Sequence, residues 1–296
     1  MSTFRIFGTA LRTALLSPRL WISFYLCSLV FSSVVAYAFQ RFMARVEGVA
    51  ALEPLFSDFD LMLAGDFLEK HGDAIGALMG LVLPLAILSV ITYAILSGGT
   101  LALLFDREPA GFPGLLEASG RFASRCFRLL LLSAVLTGLV FTIVTAIAGV
   151  VIELVAPGGG SEVPGVVATG IAIVVGAFLV MLAVMVGDYA RVSTVVDDDR
   201  AMLPEMWKSA RFLLKNAGGA IGLQLLFVLL NAGVLLLYLV IEGSTGTGSW
   251  LLVGLLVVIQ QLLMIIRAIL RVGLLAGQLG FTTARRMQPA LEALTI

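Results

Sequence analysis

Charge is the scarcest property of this chain. Asp, Glu, Lys and Arg make up 13% of its 296 residues, about half the share of an ordinary soluble domain. Hydrophobic residues make up 60%, and the mean hydropathy is +1.07. A compact body in water could not carry that composition without large apolar patches. Acids and bases balance at 19 each, which gives nucleic acid no basic surface to bind. Histidine occurs once, as His71, and cysteine twice, as Cys27 and Cys126. A single imidazole excludes a His-based metal site or a Ser-His-Asp triad. Two distant thiols make no disulfide framework and read as small apolar fillers. With no Ser/Lys set or carboxylate pair at membrane depth either, the chain reads as a non-enzyme without cofactor or metal.

Long apolar runs stand in place of these missing parts. About 20 apolar residues cross the hydrocarbon as a helix, and a helix is forced because lipid satisfies no open backbone group. The runs predict six spans: Leu20–Phe39, Ala74–Leu96, Leu129–Val155, Val163–Gly187, Gly218–Ile241 and Ser249–Ala276. The expected fold is all-α integral membrane, with residues 1–296 as a single polytopic domain. The first run follows Arg5, Arg12 and Arg19 but continues at full length without a small-residue cleavage site, so it reads as a span rather than a signal peptide.

Basic residues orient the spans. Lys and Arg number three before the first span, four in 97–128, five in 188–217 and four from Arg267 onward, 16 together. The alternate loops hold three, all in 40–73. The positive-inside rule then places both termini in the cytoplasm. Loop 40–73, with seven acids, belongs outside. Its Leu55, Phe56, Phe59, Leu63, Phe67 and Leu68, interleaved with acids, predict one or two short helices on the outer interface. Pro84 predicts a bend in the second span.

The cytoplasmic exits look alike. Gly98-Gly99-Thr100, Gly187-Asp188-Tyr189 and Gly277 are each followed by charge and then by Pro113, Pro204 or Pro289. Pro113 and Pro204 lead into basic segments, Arg121–Arg125 and Arg211–Lys215, and Phe4–Leu16 is the matching element before the first span. Proline suits the first turn of such helices. Three hairpin repeats are expected, each led by a cytoplasmic interfacial helix, over 1–96, 113–187 and 204–276. Repeats of this kind often frame a site. The Asp197-Asp198-Asp199 run lacks the turn and distal Glu of a calcium loop and reads as a solvated cap on the next helix. Gly-x-x-x-Gly pairs at Gly76/Gly80, Gly218/Gly222 and Gly273/Gly277 permit close helix packing.

Polar groups at membrane depth are costly and mark candidate sites. Gln224, Asn231 and Tyr238 share one face of the fifth span, and Gln260, Arg267 and Arg271 share one of the sixth. Equal distances from the short connecting turn predict that Gln224 faces Arg267. Asp188 lies at the depth of Arg271 and is expected to pair with Arg271 or Arg267, since a lone carboxylate there is poorly solvated.

The stretch from Asp188-Tyr189-Ala190-Arg191 through the acidic turn to Leu203-Pro204-Glu205-Met206-Trp207-Lys208-Ser209-Ala210-Arg211-Phe212 resembles a segment of little-characterised bacterial six-span membrane proteins. These include the membrane domain attached to some glycerophosphodiester phosphodiesterases. The resemblance implies a bacterial inner membrane and no activity, since no soluble segment here could hold the phosphodiesterase's catalytic domain. Two functions fit these features: handling of a lipid or small solute, motivated by the polar faces, and a scaffold or assembly factor acting through glycine pairs and the apolar outer loop. The topology is directly testable: reporter fusions after Asp66 and after Gly246 should both signal from outside, and a cytoplasmic signal from either would overturn the orientation.

Overall fold

A computed structural model describes residues 2–46, 61–106, 111–155, 162–198, 201–244 and 249–294, and these are helical almost throughout. The elements are α1 (Thr3–Leu16), α2 (Pro18–Arg45), α3 (Leu61–Asp106), α4 (Phe112–Val155), α5 (Glu162–Asp197), α6 (Met202–Lys215), α7 (Ala217–Ser244) and α8 (Trp250–Leu294). Six of them, all but α1 and α6, are long and apolar enough to cross a membrane. Each expected span lies on a different one. Pro18 fills the first turn of α2, where a missing N–H costs nothing.

The helices run further than hydropathy suggests. The expected exits at Gly98-Gly99, Gly187 and Gly277 are interior to α3, α5 and α8, which continue to Asp106, Asp197 and Leu294. Their glycines are notches where another helix sits. A Cβ on Gly99 would meet the Ser119 hydroxyl and lie 2.7 Å from the Ser119 backbone N. On Gly187 it would meet the hydroxyl and Cβ of Ser133, and on Gly98 the sulfur of Cys126, which is itself buried. On Gly277 it would lie 3.4 Å from Cβ of Ala10. Gly273 takes Phe227 and Ala14 in the same way, so this Gly-x-x-x-Gly pair is used within the chain. Around Gly76, Gly80 and Gly218 the space is open.

The packing is cyclic. The last third of α3 holds the start of α4, the last third of α5 holds α6, and the last third of α8 holds α1. The helices α3, α5 and α8 also touch one another, which puts α8 at the centre of α1, α2, α3, α5 and α7. We call the end where α1, α6 and the last third of α8 meet the base. Most of the core is there: Leu101, Leu115, Leu129, Met185, Val192, Leu223, Val272 and Phe281 are buried. Towards the far end the helices keep their apolar side chains accessible, as Val135, Ile147, Val166, Ile173 and Leu251 do. That suits a hydrocarbon surround.

Several sequence expectations need correction. The segment leading into the third span is not a separate helix, because α4 continues from Phe112 through Val155. Only α1 and α6 are distinct leading helices. Pro84 lies inside α3 with helical φ/ψ, and a break that hydropathy did not suggest falls at His71 (φ −118°, ψ 17°). Of the outer loop, residues 47–60 lie outside the described residues, while Leu61 onward already belongs to α3. The N-cap of α6 is Ala201, without a side-chain bond, and the two described residues of the acidic run, Asp197 and Asp198, pair with arginines. Asp198 (φ 49°) receives Arg125 from α4 at 2.5 Å, and Asp197 receives Arg286 from α8 at 2.5 Å. Ser193 joins the second pair, accepting from Arg286 at 2.7 Å and donating to Asp197 at 3.1 Å. These two carboxylates close the base by pairing with arginines from two neighbouring helices. Asp199 lies outside the described residues.

The notches give a test. Gly99→Ala sets a methyl against backbone that no rotamer change can move, and should cost about 2–3 kcal/mol. Gly80→Ala meets open space and should be neutral or gain up to about 1 kcal/mol of helix propensity. Thermal unfolding of the purified variants in detergent would show it, and equal midpoints would discount the notch.

Candidate functional site

One face of α8 carries two arginines and a glutamine. Met264, Arg267, Arg271, Leu274 and Gln278 follow at steps of three and four, so they stack along one stripe. The stripe is left uncovered by direct packing and becomes the floor of a cavity of about 620 Å³, a volume in the range of small-molecule sites. Phe24 and Ser28 of α2 and Tyr93 and Ser97 of α3 form one wall. Asp188 and Arg191 of α5 close the end towards the base, and Gln224, Phe227 and Asn231 of α7 form the opposite wall. The floor spans roughly 21 Å from Met264 to Gln278, at about 1.5 Å per residue.

Five of the seven residues singled out from the sequence therefore line a common cavity: Asp188, Gln224, Asn231, Arg267 and Arg271. Tyr238 and Gln260 do not. Tyr238 sits two turns further along α7, outside the cavity lining. Gln260 is exposed, and its neighbour Gln261 is the one engaged, accepting a hydrogen bond from Tyr25 of α2 at 3.0 Å. One residue of α8 is a rotation of about 100°, enough to exchange the face turned towards α2 for the outside.

The expected ion pair is also different. Asp188 pairs with Arg191 one turn along α5, at 3.2 Å, with side chains 16% and 12% exposed. Arg271 stays within electrostatic reach of Asp188 but forms no ion pair with it. Its guanidinium instead lies over the Tyr93 ring, 4.5 Å from the centroid, and near that of Phe24 at 5.4 Å. Those rings stack on each other at 6.0 Å, and the Tyr93 hydroxyl shares a hydrogen bond with Ser28. The local pair wins because residues three apart on a helix already face each other, whereas Arg271, exposed at the cavity, gains a cation–π contact where it is. Gln224 and Arg267 line the cavity together but make no hydrogen bond. Arg267 has no hydrogen-bond or ion-pair partner among the described residues.

Gln278 escaped the sequence reading. It is 1% exposed, lines the cavity at its base end, and neither of its amide atoms has a hydrogen-bond partner. Oε1 of Gln224 and Nε of Arg191 are likewise buried without partners. The signal was available: Gln278 lies seven residues after Arg271, on the same stripe, but just past the expected end of the span at Ala276. Unsatisfied buried amides cost about 1–3 kcal/mol each, so polar groups converging on one space mark it as built to hold something polar. Among the described residues no group of His, Cys, Asp or Glu is placed to hold a metal.

No protein-family model, no curated protein and no solved structure matches this chain. The resemblance at Asp188–Phe212 accordingly rests on those residues alone. The ion pair is testable on its own. Asp188→Ala strands a largely buried Arg191 and should destabilise the protein by more than the ~1 kcal/mol of an exposed pair. The double change Asp188→Asn, Arg191→Gln should recover part of the loss. Denaturation midpoints in detergent read both, and a double variant no better than the single would discount the pair.

Proposed function

We propose that this chain is a non-enzymatic membrane protein that binds a lipid or small solute in the cavity between α2, α3, α5, α7 and α8. The observation that carries the reading is the set of unpartnered polar groups in one cavity: the Gln278 amide, the Gln224 carbonyl and the Arg267 guanidinium. A purely structural network would pair these groups with one another. Their positions along the helices, with Arg267 about 26 Å from Trp250 at the start of α8, suit the edge of a hydrocarbon layer about 30 Å thick.

In this reading the base faces the cytoplasm with both termini, following the basic asymmetry of the loops, and the membrane is a bacterial inner membrane, following the resemblance at Asp188–Phe212. The chain is three hairpin units, 1–96, 113–187 and 204–276. The cyclic order in which α3, α5 and α8 each hold the leading segment of the next unit supports that division. The glycine notches fall at matching places, with Thr100, Asp188 and Gln278 next to Gly99, Gly187 and Gly277. A scaffold role is the second reading, favoured by the open surface around Gly76 and Gly80.

Filling the cavity separates the two. Purified wild-type protein should carry a near-stoichiometric small molecule or lipid in extracts analysed by mass spectrometry. Asn231→Trp should lower that content at least fivefold without changing elution volume. Equal content in both proteins would sink the binding reading.

A further inference from the structure

Resting on that reading, we infer that the ligand carries an anionic phosphate-type group, seated between Arg267 and Arg271 with the Gln278 amide beneath it. The charge of the wall argues for an anion. Three guanidinium groups, Arg191, Arg267 and Arg271, face one carboxylate, Asp188. Arg191 and Asp188 neutralise each other at 3.2 Å, which leaves Arg267 and Arg271 as the uncompensated pair. They stand four apart on α8, so both forks project into the same space. A guanidinium fork matches two oxygens of a phosphate better than any other side chain does.

The rest of the cavity fits the same chemistry. Gln278, 1% exposed with its Nε2 unpartnered, offers a donor that needs an acceptor. A cationic headgroup has nothing to bind: the faces of Tyr93 and Phe24, the aromatic surface a quaternary ammonium would use, lie beside Arg271 already. Desolvation explains why an anion is wanted. Two arginines near hydrocarbon with no carboxylate to pair them are costly, and a bound anion removes that cost.

Apolar walls point to an amphiphile as the carrier of the group. Phe227, Val228 and Met264 line the cavity beyond the arginines. The α7 helix packs on α8 and α1 and scarcely touches α5, leaving a seam through which an acyl chain could pass into the bilayer. An inorganic or soluble organic phosphate offers the same oxygens without the tail, and the experiment must tell the two apart.

Full-length protein is titrated in detergent with phosphatidylglycerol and with phosphatidylcholine, and bound lipid is counted by native mass spectrometry. Inorganic phosphate is titrated separately by calorimetry. Wild type should retain phosphatidylglycerol at least tenfold better than phosphatidylcholine. The Arg267→Gln, Arg271→Gln variant should lose that preference while still binding phosphatidylcholine, and Arg286→Gln, at the base outside the cavity, should keep it. Should the double variant not fold, Arg267→Gln alone carries the test, because Arg267 has no hydrogen-bond or ion-pair partner among the described residues. Phosphate binding that the same substitutions abolish, with no lipid retained, would support the anion seat and assign it to a soluble phosphate. Equal retention of the two lipids by wild type, or a preference that survives the substitutions, would overturn the inference and leave the cavity reading standing. Binding of no lipid and no phosphate, with Asn231→Trp indistinguishable from wild type, would remove both.

Discussion

Close approach of helix backbones at the base is the constraint on which the other features depend. Hydrocarbon outside the bundle is as apolar as leucine, so burying leucine does not by itself drive these helices together. Dispersion contacts at short range and a few polar pairs must do it. The chain supplies the first with glycines that admit a serine, a cysteine or an alanine of the neighbouring helix, and the second with Asp197 and Asp198, each held by an arginine from another helix. Both devices sit at one end. Towards the other end the helices carry accessible Val, Ile and Leu, which lipid solvates without protein contact.

Concentrating the packing at one end is also what leaves room for the cavity. Because α8 is gripped near its end by α1 through Gly273, Gly277 and Gly280, its preceding turns need not be covered by a neighbour. Arg267 and Arg271 fall on those turns. Both side chains are exposed where they line the cavity, and neither has a carboxylate ion-pair partner among the described residues. Arg271 settles over Tyr93 and Phe24, and Arg267 keeps its hydrogen-bonding capacity unspent. Rigid packing below and a polar recess above thus have a common origin in where the small residues lie.

The existence and number of the spans were legible because hydrophobic runs of more than 20 residues have one physical meaning. Helix ends were not. Hydropathy falls at Gly98, Gly187 and Gly277, but a helix ends where its backbone bonds end, and these glycines continue them while making space for a partner. The same misreading hid Gln278, which looked as if it lay beyond the sixth span. Sharing of a face by Gln224 and Asn231, and by Arg267 and Arg271, followed from helical period alone. Where the cavity ends along the face did not, so Gln260, one turn beyond Met264, lies outside it. Pair choice failed for a different reason. Depth matching brought Asp188 level with Arg271, yet the i, i+3 neighbour Arg191 and the aromatic face of Tyr93 were nearer alternatives for the two charges. Nothing in the sequence weighs a cation–π contact against an ion pair across helices.

The pairing of α1 with α8 also bears on how the molecule comes into being. Ile6, Ala10 and Ala14 are buried against residues near Gly273, Gly277 and Gly280, at the opposite end of the chain. Synthesis makes α1 before α7 and α8, so its contact with α7, where Phe7 meets Phe227 at 4.8 Å, precedes its contact with α8. Until α8 is made, the alanine seam of α1 lacks the helix on which it packs most. Docking of α8 against α1 therefore coincides with completion of the polar recess, whose floor α8 supplies.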